Sequence, residues 1–152
     1  MTAVSNSSPL IALAQISRLD LIYRLHTRVL VPPEVEREVR PTLPNLPAWI
    51  GVKALSRPPE PRVVSTTIGP GECEVISLGL EVNAERVILD DQPARRLAAR
   101  LGLRVIGTLG LLLAAKDRGF VTRIKPELER LRDVQFFMDQ DLYDRVIGQA
   151  GE

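Results

Sequence analysis

The sequence holds one cysteine, Cys73, and one histidine, His26, among its 152 residues. A lone cysteine excludes an internal disulfide, and the two residues together cannot build a zinc site of the usual Cys/His kind. Aromatic residues make up 4% of the chain, too few for a binder that stacks successive bases of a single strand on aromatic platforms. Neither charge is in large excess. Lys and Arg number 20 against 19 Asp and Glu, a net charge of +1, which excludes a strongly basic nucleic-acid coat. Long apolar runs are missing too. Stretches such as Leu109 to Ala115 fall far short of the roughly 18 residues that suggest a membrane span, and no basic start leads into an apolar signal core. A cytoplasmic protein without membrane association is expected.

What is present has ordinary globular composition, 45% hydrophobic and 26% charged, and the length suits a single domain over 1–152. Thr2 to Ser5 reads as a strand, followed by helical spacing through Leu10, Leu13 and Ala14 and again over Leu19 to Leu25. Arg28 to Val31 is a β-branched run stopped by Pro32 and Pro33, which suit the first turn of a helix reaching about Val39. Between Pro41 and Pro70 lie seven of the twelve prolines, so that stretch reads mostly as loop, with one short strand possible within Trp49 to Leu55. Alternation then resumes: helix from about Gly71 to Val82, strand Arg86 to Leu89, helix Pro93 to Leu101, strand Leu103 to Ile106, helix Thr108 to about Arg118. The tail reads as a helix near Pro126 to Arg132, a strand Val134 to Phe137 and a helix near Asp141 to Gly148. Helices interposed between short, wholly apolar strands imply an α/β fold with a buried parallel sheet covered on both faces.

In such a sheet ligands sit beyond the carboxyl ends of the strands. The polar residues there are Ser5, Asn6, Ser7 and Ser8 after the first strand, Asp90 and Asp91 after a later one, and Gly107 and Thr108 after the last. Glu72 and Glu74 open the helix after Gly69-Pro70-Gly71, and Glu34, Glu36 and Glu38 lie on the helix after the second strand. These are oxygen donors without imidazole, a set that suits Mg²⁺ or Mn²⁺ and phosphoryl chemistry. The same residues also suit structural roles, with Asp91, Ser7 and Thr108 as helix caps and Glu72 and Glu74 favouring a helix N-terminus. Gly69-Pro70-Gly71 lacks the third glycine of a dinucleotide fingerprint, and no Gly-Lys-Ser/Thr loop exists. Cys73 reads as a small buried hydrophobe and His26 as a surface or capping residue. Arg96, Arg100 and Arg104 recur every four residues as a basic stripe, and the apolar residues Leu10, Leu13, Leu21, Ile22 and Leu25 exceed one stripe toward a sheet.

Three stretches carry a resemblance: Val4-Ser5-Asn6-Ser7-Ser8-Pro9-Leu10-Ile11, Gly71-Glu72-Cys73-Glu74-Val75-Ile76-Ser77-Leu78, and Leu89-Asp90-Asp91-Gln92-Pro93-Ala94-Arg95-Arg96-Leu97-Ala98 running into Gly107-Thr108-Leu109-Gly110-Leu111-Leu112. In this order and spacing they resemble the PIN-domain family, closest to a bacterial and archaeal subgroup related to the VapC-type toxins. The resemblance implies a Rossmann-like three-layer α/β/α fold with a mainly parallel central sheet, and a Mg²⁺- or Mn²⁺-dependent endoribonuclease of toxin-antitoxin type. It implies catalytic roles for Glu38, Glu72 (with Glu74 as the alternative), Asp91 and Asp90. It implies metal contacts from Asn6, Glu72, Asp90, Asp91 and Thr108, and RNA contacts from Arg95, Arg96 and Arg100. RNA, a small antitoxin protein and a second copy of the chain are the implied partners. The departure is Asn6, where most members have aspartate: a neutral amide keeps one carbonyl oxygen but removes a charge, which weakens metal binding. The alternative is a degenerate, non-catalytic domain that binds RNA or protein. A phosphoacceptor domain built on Asp91 and Lys116 ranks third.

Overall fold

The computed structural model describes residues 2–64 and 67–152. The chain runs β1 (Thr2–Ser5), α1 (Ser7–Gln15), α2 (Asp20–His26), β2 (Arg28–Val31), α3 (Pro33–Val39), β3 (Ile50–Val52) and α4 (Pro70–Glu81). It continues with β4 (Arg86–Ile88), α5 (Gln92–Arg100), β5 (Val105–Ile106), α6 (Thr108–Asp117), α7 (Lys125–Asp133) and α8 (Gln140–Gln149). Prolines stand in the first turn of α3, α4, α5 and α7, where the missing N–H costs no hydrogen bond.

All strand pairs are parallel, in the order β3-β2-β1-β4-β5. Every step therefore needs a crossover, and the helices that make those crossovers bury the sheet on both faces as a three-layer α/β/α fold. α2 packs on β2 and α6, while α4 packs on β1, β4 and α5. The chain builds outward from β1 to β3, then returns through α4 to start again on the other side of β1. That reversal opens a crevice beyond the carboxyl ends of β1 and β4, the place where such sheets bind ligands.

Several expectations are corrected. Val134 to Phe137 is no strand: the chain turns there, with Gln135 at φ 68° and the Phe136 N–H donating to the Leu131 carbonyl at 2.9 Å. Leu10, Leu13, Leu21, Ile22 and Leu25 are all buried within the one chain, so they offer no apolar face to a second copy. The expected four-residue basic stripe is broken, because α5 ends at Arg100 and Arg104 lies outside it. The Pro-rich stretch is loop around β3, with Ser56 and Glu60 N–H groups tied to Glu81 and Ser77 of α4. The loop expectation for positions 65–66 falls outside the described residues. Cys73 is only partly buried, packed against the core.

His26 is the largest departure. It is 4% exposed, neither ring nitrogen has a partner among the described residues, and it lines a cleft of about 260 Å³ with Arg86, Glu85 and Arg118. Burial, with the nearby Arg86 charge, holds its pKa below the ordinary 6.5, although Glu85 opposes this. The folded chain therefore keeps a neutral ring where the unfolded chain takes up a proton near pH 6.5. Stability from this site is complete above that pH and is lost as the pH falls through the lower folded-state value. The urea midpoint should drop between about pH 7.5 and pH 5, and His26→Leu should flatten that limb. An unchanged limb in the variant would assign the acid sensitivity elsewhere.

Candidate active site

The crevice has two walls. On the β1 side, the Asn6 N–H donates to the Ile88 carbonyl at 3.0 Å, carrying the β1–β4 ladder one residue past the strand and burying Asn6 to 5% exposure. Ser7 then opens α1 and its side chain hydrogen-bonds the Glu38 carboxylate of α3. Gly71, in the first turn of α4, lies against both: a Cβ there would sit 3.0 Å from Glu38 Oε1 and 3.5 Å from Asn6 Oδ1. Two oxygens from elements distant in sequence thus converge on one glycine, and a side chain at 71 would crowd them.

On the β4 side, Asp90 is held by Thr108, whose N–H donates to Oδ1 at 2.8 Å and whose hydroxyl donates to Oδ2 at 2.6 Å. Ser8 adds a longer bond to Oδ2 at 3.3 Å, so α1 reaches across the crevice to the same carboxylate. Gly107 makes room here, since a Cβ would come within 2.6 Å of Arg95 Nη1 and 2.8 Å of Asp90 Oδ1. Arg95 is itself fixed by donating to the Leu89 carbonyl at 2.9 Å.

The adjacent acidic pair divides its labour. Asp91 is exposed and caps α5, its Oδ2 accepting the Ala94 N–H at 3.0 Å, so it does not share the Ser8 and Thr108 contacts of Asp90. The structural reading holds for Asp91, and Asp90 is the carboxylate that turns to the crevice. Neither Ser7 nor Thr108 is a cap: Asn6 and Gly107 occupy those positions. Glu72 folds back toward Gly69 yet its charge reaches Glu38, whereas the charge of Glu74 acts on Arg37 and Cys73. Glu34 and Glu36 pair with Arg37 and Arg40 outside the crevice. Arg96 and Arg100 are exposed on α5, with no ion pair among the described residues. Lys116 is engaged by Glu152 and the Ala150 carbonyl, which removes the partner that a phosphoacceptor site on Asp91 would need.

Glu38 is exposed, yet desolvation by the groups packed beside it raises its pKa above the ordinary 4.5, and the Glu72 and Glu34 charges raise it further, against the Ser7 hydrogen bond. A raised folded-state value means that the benefit is complete below pH 4.5 and is lost as the pH rises through the higher folded-state value, so at neutral pH an ionised Glu38 costs stability. A cation nearby would reverse that sign. The donors fit a hard cation in kind: amide and carboxylate oxygens, with two side-chain oxygens converging over Gly71. Among the described residues no three His, Cys, Asp or Glu side chains come close enough to form a cage, so an ion here would complete its shell with water. Ser8 and Gly107 stand among the residues that the sequence places beyond the strand ends, and Gly71 in the turn before α4, but the sequence assigns them no part in the site; an invariant small residue at 71 or 107 would be the signal to seek.

No curated protein matches the chain. Its fold is similar to that of a PilT N-terminus domain protein from the hyperthermophilic archaeon Sulfolobus solfataricus P2, with a TM-score of 0.55, 19% identity, and 76% of this chain and 93% of that one covered. The family model described as PIN domain matches residues 2–152. The chain belongs to the PIN-domain family, whose members are generally nucleases.

Proposed function

We propose that this PIN domain is a metal-dependent endoribonuclease of the toxin type, using Mg²⁺ or Mn²⁺ and restrained by a small antitoxin protein. The observation that carries the nuclease reading is the facing pair of walls at the β1/β4 reversal: Asn6 and Glu38 over Gly71, and Asp90 clamped by Thr108. Asn6, Glu38 and Asp90 would hold the ion, with Glu72 contributing negative charge. When bound, the ion supplies stabilisation of the attacking and leaving oxygens of an in-line displacement at phosphorus. Thr108 fixes both oxygens of Asp90, so the carboxylate needs no reorganisation when substrate arrives. One of the crevice carboxylates would accept a proton from the attacking water. Arg95, at the rim beside Asp90, offers positive charge to the phosphate backbone. Homodimerisation stays part of the proposal through faces other than the buried helix α1–α2 residues.

The neutral Asn6 favours one competitor, a binding module that keeps the fold without cutting. Three measurements decide. The melting temperature should rise with Mn²⁺ or Mg²⁺, by the equivalent of roughly 2.7 kcal/mol at about a hundredfold excess over Kd, and Asn6→Asp should strengthen that binding while lowering metal-free stability. Cleavage of single-stranded RNA should require the metal and should disappear in Asp90→Asn. Asp91→Ala should lose a helix cap, costing about 1 kcal/mol of stability, yet keep its cleavage rate per folded molecule. Intact RNA and an unmoved melting curve in the wild type would overturn the nuclease reading, and cleavage lost in Asp91→Ala but kept in Asp90→Asn would reverse the assignment within the pair.

A further inference from the structure

A groove of about 440 Å³ leads from Asp90 and Arg95, past Leu109, to Phe136, Phe137 and Arg145. That volume lies within the roughly 300 to 1,000 Å³ of small-molecule sites. It is continuous with the candidate active site through Asp90 and Gly107, and its far wall is α8 and the turn that precedes it.

Phe137 is 85% exposed, an expense in free energy that a chain with three phenylalanines does not incur for packing. The backbone that carries the ring is nonetheless held in place. Before it, Phe136 is tied by its N–H to Leu131; after it, Met138 is buried and Asp139 caps α8, accepting the Leu142 N–H at 2.8 Å. α8 is in turn anchored by the buried Tyr143, whose hydroxyl donates to Glu129 at 2.6 Å. The ring therefore stands out from a strap fixed at both ends.

The charges around it differ in availability. Asp90 and Asp139 keep their charge but are held in place by Thr108 and by the α8 N-terminus, whereas Arg145 is exposed with no ion pair among the described residues. The groove thus offers one flat apolar surface, a half-buried apolar floor and free positive charge. A protein partner would call for a contiguous apolar patch. The other exposed large hydrophobics, Tyr23, Val52 and Val64, do not line this groove, so its apolar surface is one exposed ring beside the half-buried Leu109, Phe136 and Leu142, with charged groups around them. A nucleobase with its flanking phosphates matches that pattern, because every base has a face that stacks and arginine serves the backbone.

We propose that this groove takes one unpaired nucleobase of an RNA strand, stacked on Phe137, with Arg95 and Arg145 supplying charge for the adjoining phosphates. The identity of the ligand rests on the ribonuclease reading. One aromatic platform is enough for one base, which agrees with the low aromatic content that excludes a succession of them. A duplex cannot present an unpaired base, so the subsite would select single strands.

The test is fluorescence anisotropy of the full chain with a labelled single-stranded RNA of about ten nucleotides, a length within the usual range of such sites, in EDTA so that no strand is cut. Phe137→Ala should weaken binding roughly 5- to 150-fold, the range of a lost base stack, Phe137→Trp should retain it, and a duplex of the same sequence should bind equally to all three. Removing single bases along the strand should reveal one position that matters in the wild type and not in Phe137→Ala. Unchanged affinity in Phe137→Ala, or an equal loss toward duplex, would overturn the proposal. A change in sedimentation of Phe137→Ala with unchanged RNA affinity would overturn it in favour of contact between copies of the chain. Because binding is read without metal, a wild type that binds as described but cuts nothing would sink the nuclease reading alone.

Discussion

The parallel pairing of β1 with β4 is the constraint on which the rest of the structure depends. It joins Ala3 to Arg86, Val4 to Val87 and Ser5 to Ile88, and the Asn6 N–H extends it by one more bond to the Ile88 carbonyl. The 64 residues between Ser5 and Pro70, which include β2 and β3, separate β1 from the α4 crossover that makes this pairing possible. Once it forms, the residues that follow the two strands, Asn6 and Asp90, are fixed on either side of one crevice, and α4 brings Gly71 and Glu72 to the same end. Both faces of the sheet are covered and Ala3, Val4, Val87 and Ile88 are all buried, so a one-residue slip would exchange the helices against which Val4 and Val87 pack, and that packing holds the register that the site needs.

The crevice carries its acidic groups apart rather than crowded. Asp90 is satisfied by Thr108 and Ser8, and Glu38 by Ser7, so the hydrogen bonds to each carboxylate come from neutral groups, and Arg95 beside Asp90 donates to the Leu89 carbonyl instead. A guanidinium would stabilise the carboxylate more strongly but would also cancel the negative field that attracts a cation. The amide of Asn6 belongs to the same balance. Next to Glu38, with Glu72 and Glu34 already raising its pKa, an aspartate would add a third like charge to a partly buried wall. The neutral residue relieves that repulsion at the expense of field strength.

Much of this was legible in the sequence, and for identifiable reasons. β1, β2 and the α4 span are bounded by strong punctuation: the Ser/Asn cluster, Pro32-Pro33 and Gly69-Pro70-Gly71. The alternation of short apolar strands with helices fixes a parallel sheet, and the sheet fixes which residues follow its strand ends. Side-chain direction is a different matter. Asp90 and Asp91 are indistinguishable by type, and only the backbone turn into α5 decides that Asp91 reaches Ala94 while Asp90 reaches Thr108. His26 was unreadable for a related reason: a polar residue at a helix end is usually solvated, and its burial here arises from packing of α2 against α6, a tertiary fact with no local signal.

The turn before α8 shows how the same limit hides function. Val134 and two phenylalanines make an apolar, β-prone run, and propensity assigns them to a strand. Gln135 at φ 68° breaks that run, so the two aromatic neighbours diverge: Phe136 is half-buried and Phe137 stands in solvent. A strand would also send successive side chains to opposite sides, but its backbone would pair and its apolar face would be covered. A turn held by Met138 and the α8 cap leaves one ring exposed beside the crevice. A lone exposed ring is ordinary by itself; what gives this one its proposed role is its place in a groove that runs to Asp90 and carries Arg95 and Arg145, along the path that a bound RNA strand would take.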